Sequence, residues 1–144
     1  MYYFCNKLTN TLILHMKKLL IAEDNDSNYI LMTYILKNHY EFERARDGRE
    51  AVDMAKKGGF DLVLMDIKMP VMDGLEATSL IKEQCPELPV IALTANAFDE
   101  DVQRSLQTGL NAHLTKPIQP EVLFETLESL IKTRNPNAGE GEKK

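Results

Sequence analysis

Residues 62–74 read LVLMDIKMPVMDG. Four apolar residues, Leu62 to Met65, run straight into Asp66, and Pro70 and Gly74 follow within a few positions. The run reads as a buried strand that delivers a carboxylate to the mouth of a turn-rich loop. A charge at the edge of a core is costly unless something pairs with it. Either the rest of the chain supplies that partner, or Asp66 is only a solvated loop residue.

The chain has 144 residues, a length that suits one domain with a proper core. Its 44% hydrophobic and 27% charged residues are those of a soluble globular protein. A net charge of −5 gives no general reason to expect binding to nucleic acid or to an anionic membrane. Cys5 and Cys85 stand alone, which excludes a disulfide framework or a paired-cysteine metal site and suits a reducing cytoplasm. His15, His39 and His113 lack metal-ligand spacing. No apolar run approaches the ~20 residues of a transmembrane helix.

The two ends differ from the middle. In residues 1–16 the aliphatic stretch Leu12-Ile13-Leu14 is too short for a signal-peptide core, and the segment reads as an appendage. Residues 135–144, NPNAGEGEKK, carry no large apolar side chain and read as a disordered tail or linker. The domain proper is expected over 17–134.

Between those ends apolar runs alternate with helical patterns. Leu19 to Ala22 form a first strand, followed by the capping residues Asn25 to Asn28 and by Ile30, Leu31, Tyr34 and Ile35 at helical spacing. Tyr40 to Ala45 is a polar strand suited to a sheet edge. Asp47-Gly48 turns the chain into a helix carrying Ala51, Val52 and Ala55, which stops at Gly58-Gly59. The strand 62–65, a helix from about Gly74 to Gln84 and the strand Val90 to Leu93 come next. A helix from about Asp99 to Gln107 ends before Gly109. The segment 112–115 is a fifth strand, and the last helix, about Pro120 to Lys132, turns Val122, Leu123, Leu127, Leu130 and Ile131 inward. Five strands alternating with five helices indicate a doubly wound α/β fold with a parallel sheet.

In such a sheet the strand C-termini share one edge, where ligands of open α/β sheets bind. The strands end in Glu23-Asp24, Asp66, Thr94 and Lys116, so residues far apart in sequence should converge. Taken singly, each is an ordinary cap or surface charge. Together, three carboxylates raise one another's pKa and call for a cation. Oxygen donors with no Cys or His nearby suit Mg²⁺, which often shares its shell with phosphate. Lys116 and the Thr94 hydroxyl offer what the remaining phosphate oxygens need.

The motifs LLIAEDN (19–25), LVLMDIKMPVMDG (62–74), IALTANA (91–97) and HLTKP (113–117) resemble, in order and spacing, a response-regulator receiver domain of two-component signalling. The resemblance runs from about Met16 to Arg134. It implies a flavodoxin-like sheet of order 2-1-3-4-5 and a phosphoacceptor role for Asp66, with the phosphoryl group taken from a phosphohistidine. By similarity, Asp24 and Asp66 coordinate Mg²⁺ directly, Glu23 acts through water or partly, and the Lys68 carbonyl is a further ligand. Lys116 pairs with Asp66 or its phosphate, and Thr94 is the switch. His113 stands where the family often has tyrosine or phenylalanine; it either gates by changing rotamer or simply packs at the rim. Pro70 and Gly74 shape the loop, the family implies a cis bond before Pro117, and Lys68 and Asn96 tune the lifetime of the phosphoryl group.

The partners so implied are a sensor histidine kinase or a histidine phosphotransfer domain. A homodimer would use the face made by the fourth helix, fifth strand and fifth helix. The wording TANAF and LTKPI resembles receivers attached to hybrid histidine kinases, so the chain is either a stand-alone receiver or one excised from a larger protein. Two other readings stand beside this one. A pseudo-receiver would bind without taking phosphate. An Mg²⁺-dependent phosphohydrolase would commonly carry an aspartate two residues past the nucleophile, where this chain has Lys68. A nucleotide-binding domain is disfavoured, since no glycine-rich loop follows the first strand.

Overall fold

The computed structural model describes residues 17–95 and 109–134. In chain order the elements are β1 (Lys18–Ala22), α1 (Asp26–Leu36), β2 (Glu41–Ala45), α2 (Gly48–Lys57), β3 (Leu62–Asp66), α3 (Gly74–Gln84), β4 (Val90–Thr94), β5 (Ala112–Thr115) and α4 (Pro120–Arg134). The helix expected from about Asp99 to Gln107 lies outside the described residues, so four of the five expected helices are seen. With it, part of the face expected to form a homodimer lies outside them too.

All neighbouring strands run parallel, in the order β2-β1-β3-β4-β5. The register places Leu19 beside Leu62, Val63 beside Val90 and Ile91 beside Ala112. The inner strands β3 and β4 are buried at every position, whereas β2 alternates exposed and half-buried residues. That difference is the one the sequence shows: EFERA can hold an edge, and LVLM cannot.

Period-two alternation divides the core into two layers. Leu19, Ile21, Leu62, Leu64, Ile91 and Leu93 face α1 and α4, packing with Leu36, Leu123 and Leu127. Leu20, Val63, Met65 and Val90 face α2 and α3, packing with Ala51, Val52, Ala77 and Ile81. Three helices start on side-chain caps. The carboxyamide of Asn25 accepts from the Asn28 N–H, and the carboxylates of Asp47 and Asp73 accept from Glu50 and Glu76 N–H groups. Asp73, within the opening stretch, is therefore the start signal of α3.

Two expectations about helix faces change. On α1, Ile30, Leu31 and Tyr34 are 63%, 53% and 71% exposed, and Met32 and Leu36 are buried instead. The helix has apolar residues on nearly every side, so spacing alone did not say which stripe meets the sheet. On α4, Leu123, Leu127 and Ile131 are buried but Val122 is exposed.

Gly48 and Gly74 open α2 and α3 where each helix meets the loop after β3. The Gly74 N–H donates to the Ile67 carbonyl at 2.8 Å, and the Gly48 N–H donates to the Met72 carbonyl at 3.1 Å. A Cβ on Gly74 would stand 2.2 Å from the Asp66 carbonyl oxygen, and one on Gly48 2.1 Å from that of Met72. Both obstacles are backbone and cannot swing aside. Gly74→Ala is expected to destabilise the fold by about 2–3 kcal/mol, the cost of overpacking a site that cannot relax. Urea denaturation of the two proteins checks this, with an unchanged midpoint counting against it.

Candidate functional site

The C-terminal ends of the strands meet as the alternation requires. Glu23 directly follows β1, with its N–H donating to the Ala45 carbonyl at 3.0 Å and its Oε2 accepting from the Asn25 N–H at 3.3 Å. Asp66 closes β3, Thr94 closes β4, and Lys116 directly follows β5. The Lys116 N–H donates to the Thr94 carbonyl at 2.7 Å, which continues the β4–β5 ladder into the site. Glu23, Asp66 and Thr94 are buried at 2%, 6% and 6% exposure, and Asp24 is exposed beside them.

One carboxylate oxygen from each of Glu23, Asp24 and Asp66 lies within 4.8 Å of the others. Lys116 Nζ stands 3.3 Å from Asp66 Oδ1 and 3.5 Å from Glu23 Oε1. Burial, and then the negative charge of Glu23, push the Asp66 carboxyl up to about 7; Lys116 acts the other way without cancelling them. The donor set fits a hard divalent cation. It is all oxygen, it is anionic, and opposite ligands of Mg²⁺ sit about 4 Å apart at bonds of about 2.1 Å.

The other expected site residues are placed as follows. Lys68 and Pro70 lie exposed on the loop after Asp66. The Met72 N–H donates to the Pro70 carbonyl at 2.7 Å around Val71, whose φ of 68° is a strained angle for a β-branched residue. Gly74 is buried against the Asp66 backbone, and the Lys116–Pro117 peptide is cis. His113 is exposed on β5, beside Ala92, while Thr94 pairs with Thr115. By alternation Thr94 and His113 share one face of the sheet, opposite to Leu93 and Leu114. Asn96 lies outside the described residues.

Reading the sequence missed the surroundings of the site. The exposed Leu31 lines a cavity of about 320 Å³ together with Glu23, Ile35, Lys116 and Ile118, and Ile30 and Tyr34 are exposed on the same helix. Apolar ground thus reaches from the outer side of α1 to the acidic cluster. The signal for it was present as a surplus, since α1 has more large apolar residues than one buried stripe can use.

The family model of the response regulator receiver domain matches residues 19–128. Polar-differentiation response regulator DivK of Brucella ovis is 40% identical over 118 residues, covering 80% of this chain and 96% of that protein. Hybrid signal transduction histidine kinase I of Dictyostelium discoideum is 36% identical over 125 residues; the match takes in 80% of this chain but only 7% of that kinase's length. Among solved structures, the receiver domain of a sensor histidine kinase from Pseudomonas aeruginosa PAO1 holds a magnesium ion in its active-site cleft. It superposes with a TM-score of 0.76 at 36% identity, covering 81% of this chain and 98% of that one. The receiver domain of Saccharomyces cerevisiae Ssk1, crystallised with the histidine phosphotransfer protein Ypd1, gives a TM-score of 0.76 at 29% identity, covering 83% and 91%. No helix among the described residues is long and apolar enough to cross a membrane.

The raised Asp66 pKa has a stability consequence with a definite sign. Between about pH 4 and pH 7 the unfolded chain ionises Asp66 while the folded one resists, so metal-free stability falls as pH rises through that window. Asp66→Asn removes the penalty. In chelator its melting temperature is expected to exceed that of the unmutated protein at pH 7.5, with the advantage shrinking toward pH 4. Millimolar Mg²⁺ is expected to raise the melting temperature of the unmutated protein and to narrow the gap. Parallel melts over pH, with and without Mg²⁺, check both statements.

Proposed function

This chain belongs to the response regulator receiver domain family, and on that premise we propose that it is a phosphoacceptor module in which Asp66 takes a phosphoryl group from a phosphohistidine. An Asp66 carboxylate oxygen forms a bond to phosphorus as the phosphorus–nitrogen bond of the donor breaks, and the departing imidazole nitrogen takes up a proton. The observation that carries the reading is the meeting of Glu23, Asp24, Asp66 and Lys116 at one end of the sheet. Little covalent chemistry is asked of the protein; alignment and charge neutralisation do most of the work.

Asp24 and Asp66, with Glu23 directly or through water and with the Lys68 carbonyl, would hold Mg²⁺. When bound, the ion supplies positive charge against the phosphoryl oxygens and lets Asp66 stay ionised. Lys116 already touches Asp66, and its ammonium would follow the negative charge onto the phosphoryl group. Thr94 would donate its hydroxyl to a phosphoryl oxygen. His113, on the same face one strand over, would respond to the Thr94 rotamer, and Lys68 and Asn96 would set how long the acyl phosphate survives.

The donor is a histidine kinase or histidine phosphotransfer domain, seated on the apolar ground beside the site. A protein that brings a phosphohistidine to Asp66 must cover the surface around the cleft, where Leu31 shares a cavity with Glu23 and Lys116, and Ile30 and Tyr34 extend the exposed apolar surface along the same helix. Burying them on association supplies affinity, while the charged cleft supplies the chemistry.

Two experiments test the two halves. Incubation with acetyl phosphate and Mg²⁺ is expected to add one phosphoryl mass to the intact protein and none to Asp66→Asn; equal labelling of both would remove Asp66 as acceptor. Leu31→Glu and Tyr34→Asp are expected to slow transfer from a phosphorylated histidine phosphotransfer protein by at least about tenfold, the loss of a typical interface anchor. Their labelling by acetyl phosphate should match the unmutated protein. Equal rates from the protein donor would place its docking elsewhere.

A further inference from the structure

Behind the acidic cluster lies a cation that the proposed chemistry does not use. Arg44, on edge strand β2, has a side chain only 12% exposed. Its Nε donates to the backbone carbonyl of Glu23 at 3.0 Å, and its Nη1 pairs with Asp26 Oδ1 at 2.8 Å. The guanidinium lies over the ring of Tyr29, 4.5 Å from its centroid. Tyr29 in turn meets Phe42 edge-on, so the two half-buried residues of β2, Phe42 and Arg44, both pack on one tyrosine of α1. Arg44 Nη2 is buried with no hydrogen-bond partner among the described residues.

We propose that Arg44 is a positioning residue for the metal-binding turn, a strap that fixes the Glu23–Asp24 backbone by tying it to β2 and α1 at once; this rests on the reading of Glu23, Asp24 and Asp66 as an Mg²⁺ site. The turn between β1 and α1 is short, and each end has its own restraint. The Glu23 N–H is held by Ala45, and Asn25 is held by its cap on α1. Between them the carbonyl of Glu23 is held by the Arg44 side chain. Without it, a buried carbonyl loses its partner, and the peptide joining the two acidic residues is free to tilt. Both carboxylates ride on that peptide.

A guanidinium is suited to this task and an ammonium is not. Its planar fork reaches the carbonyl and the Asp26 carboxylate in one fixed geometry while its face rests on Tyr29. Asp26 also accepts from Arg46 Nη1 at 3.2 Å, so the strap is anchored at its outer end by a second arginine. Pairing with Asp26 balances a positive charge that would otherwise stand uncompensated behind a cation site.

The test is a calorimetric titration of the full chain with Mg²⁺ alone, run on the unmutated protein, Arg44→Met and Arg44→Lys, beside metal-free melts. Arg44→Met keeps apolar bulk on Tyr29 and is expected to weaken Mg²⁺ binding about tenfold, the low end for loss of an outer-shell partner. Arg44→Lys can reach one partner but not both and is expected to fall between. A lowered metal-free melting temperature with Mg²⁺ Kd values within twofold of the unmutated protein would show a purely structural role and overturn the proposal. Should Arg44→Met fail to fold, the Arg44→Lys comparison decides alone, by the same criterion. Absence of Mg²⁺ binding by the unmutated protein would overturn the metal-site reading itself, and the strap with it.

Discussion

Glu23 and Asp66 bring two buried carboxylates to one end of the sheet, and Lys116 answers both from two strands beyond Asp66. Much of the architecture follows from keeping that arrangement intact. Like charges held this close oppose folding unless each is met by a cation or kept protonated. The strands that carry them, β1 and β3, are direct neighbours at the centre of the sheet. Lys116 arrives from the edge strand β5, across about 9–10 Å of two inter-strand spacings. Its long stem spans the distance past the end of β4, which lies between, to reach Asp66 at 3.3 Å.

The loop after Asp66 is held from the opposite direction. Gly48 and Gly74 let the first turns of α2 and α3 touch backbone that any side chain would push away. The position of Asp66 is thus set by its strand on one side and by two helix starts on the other. Val71, at an unfavourable φ in the same loop, shows that the chain tolerates local strain there to complete the turn.

Much of this was legible in the residues. The apolar runs 62–65 and 90–93 read as inner strands, the polar run EFERA as an edge, and Asn25 as a cap signal; all three inferences depend on neighbours in sequence. Convergence of the strand ends was equally accessible, because parallel winding brings every C-terminus to one side. Face selection on α1 was not accessible in the same way. With Tyr29, Ile30, Leu31, Met32, Tyr34, Ile35 and Leu36 all apolar, the choice of stripe is made by the sheet and α4, not by the helix. Nor was Arg44 visible, since its partners Glu23, Asp26 and Tyr29 are near it only once β2 has paired with β1.

The division of labour along α1 has an evolutionary consequence. Ile30, Leu31 and Tyr34 belong to neither core layer, so replacing them costs little stability, within the ~0.5 kcal/mol usual for surface sites. The strand-end residues have no such freedom, being tied to one another and to the backbone. One side of this molecule can therefore drift rapidly while the other stands still. Duplicated copies of such a gene could part company in what they associate with, long before they differ in chemistry.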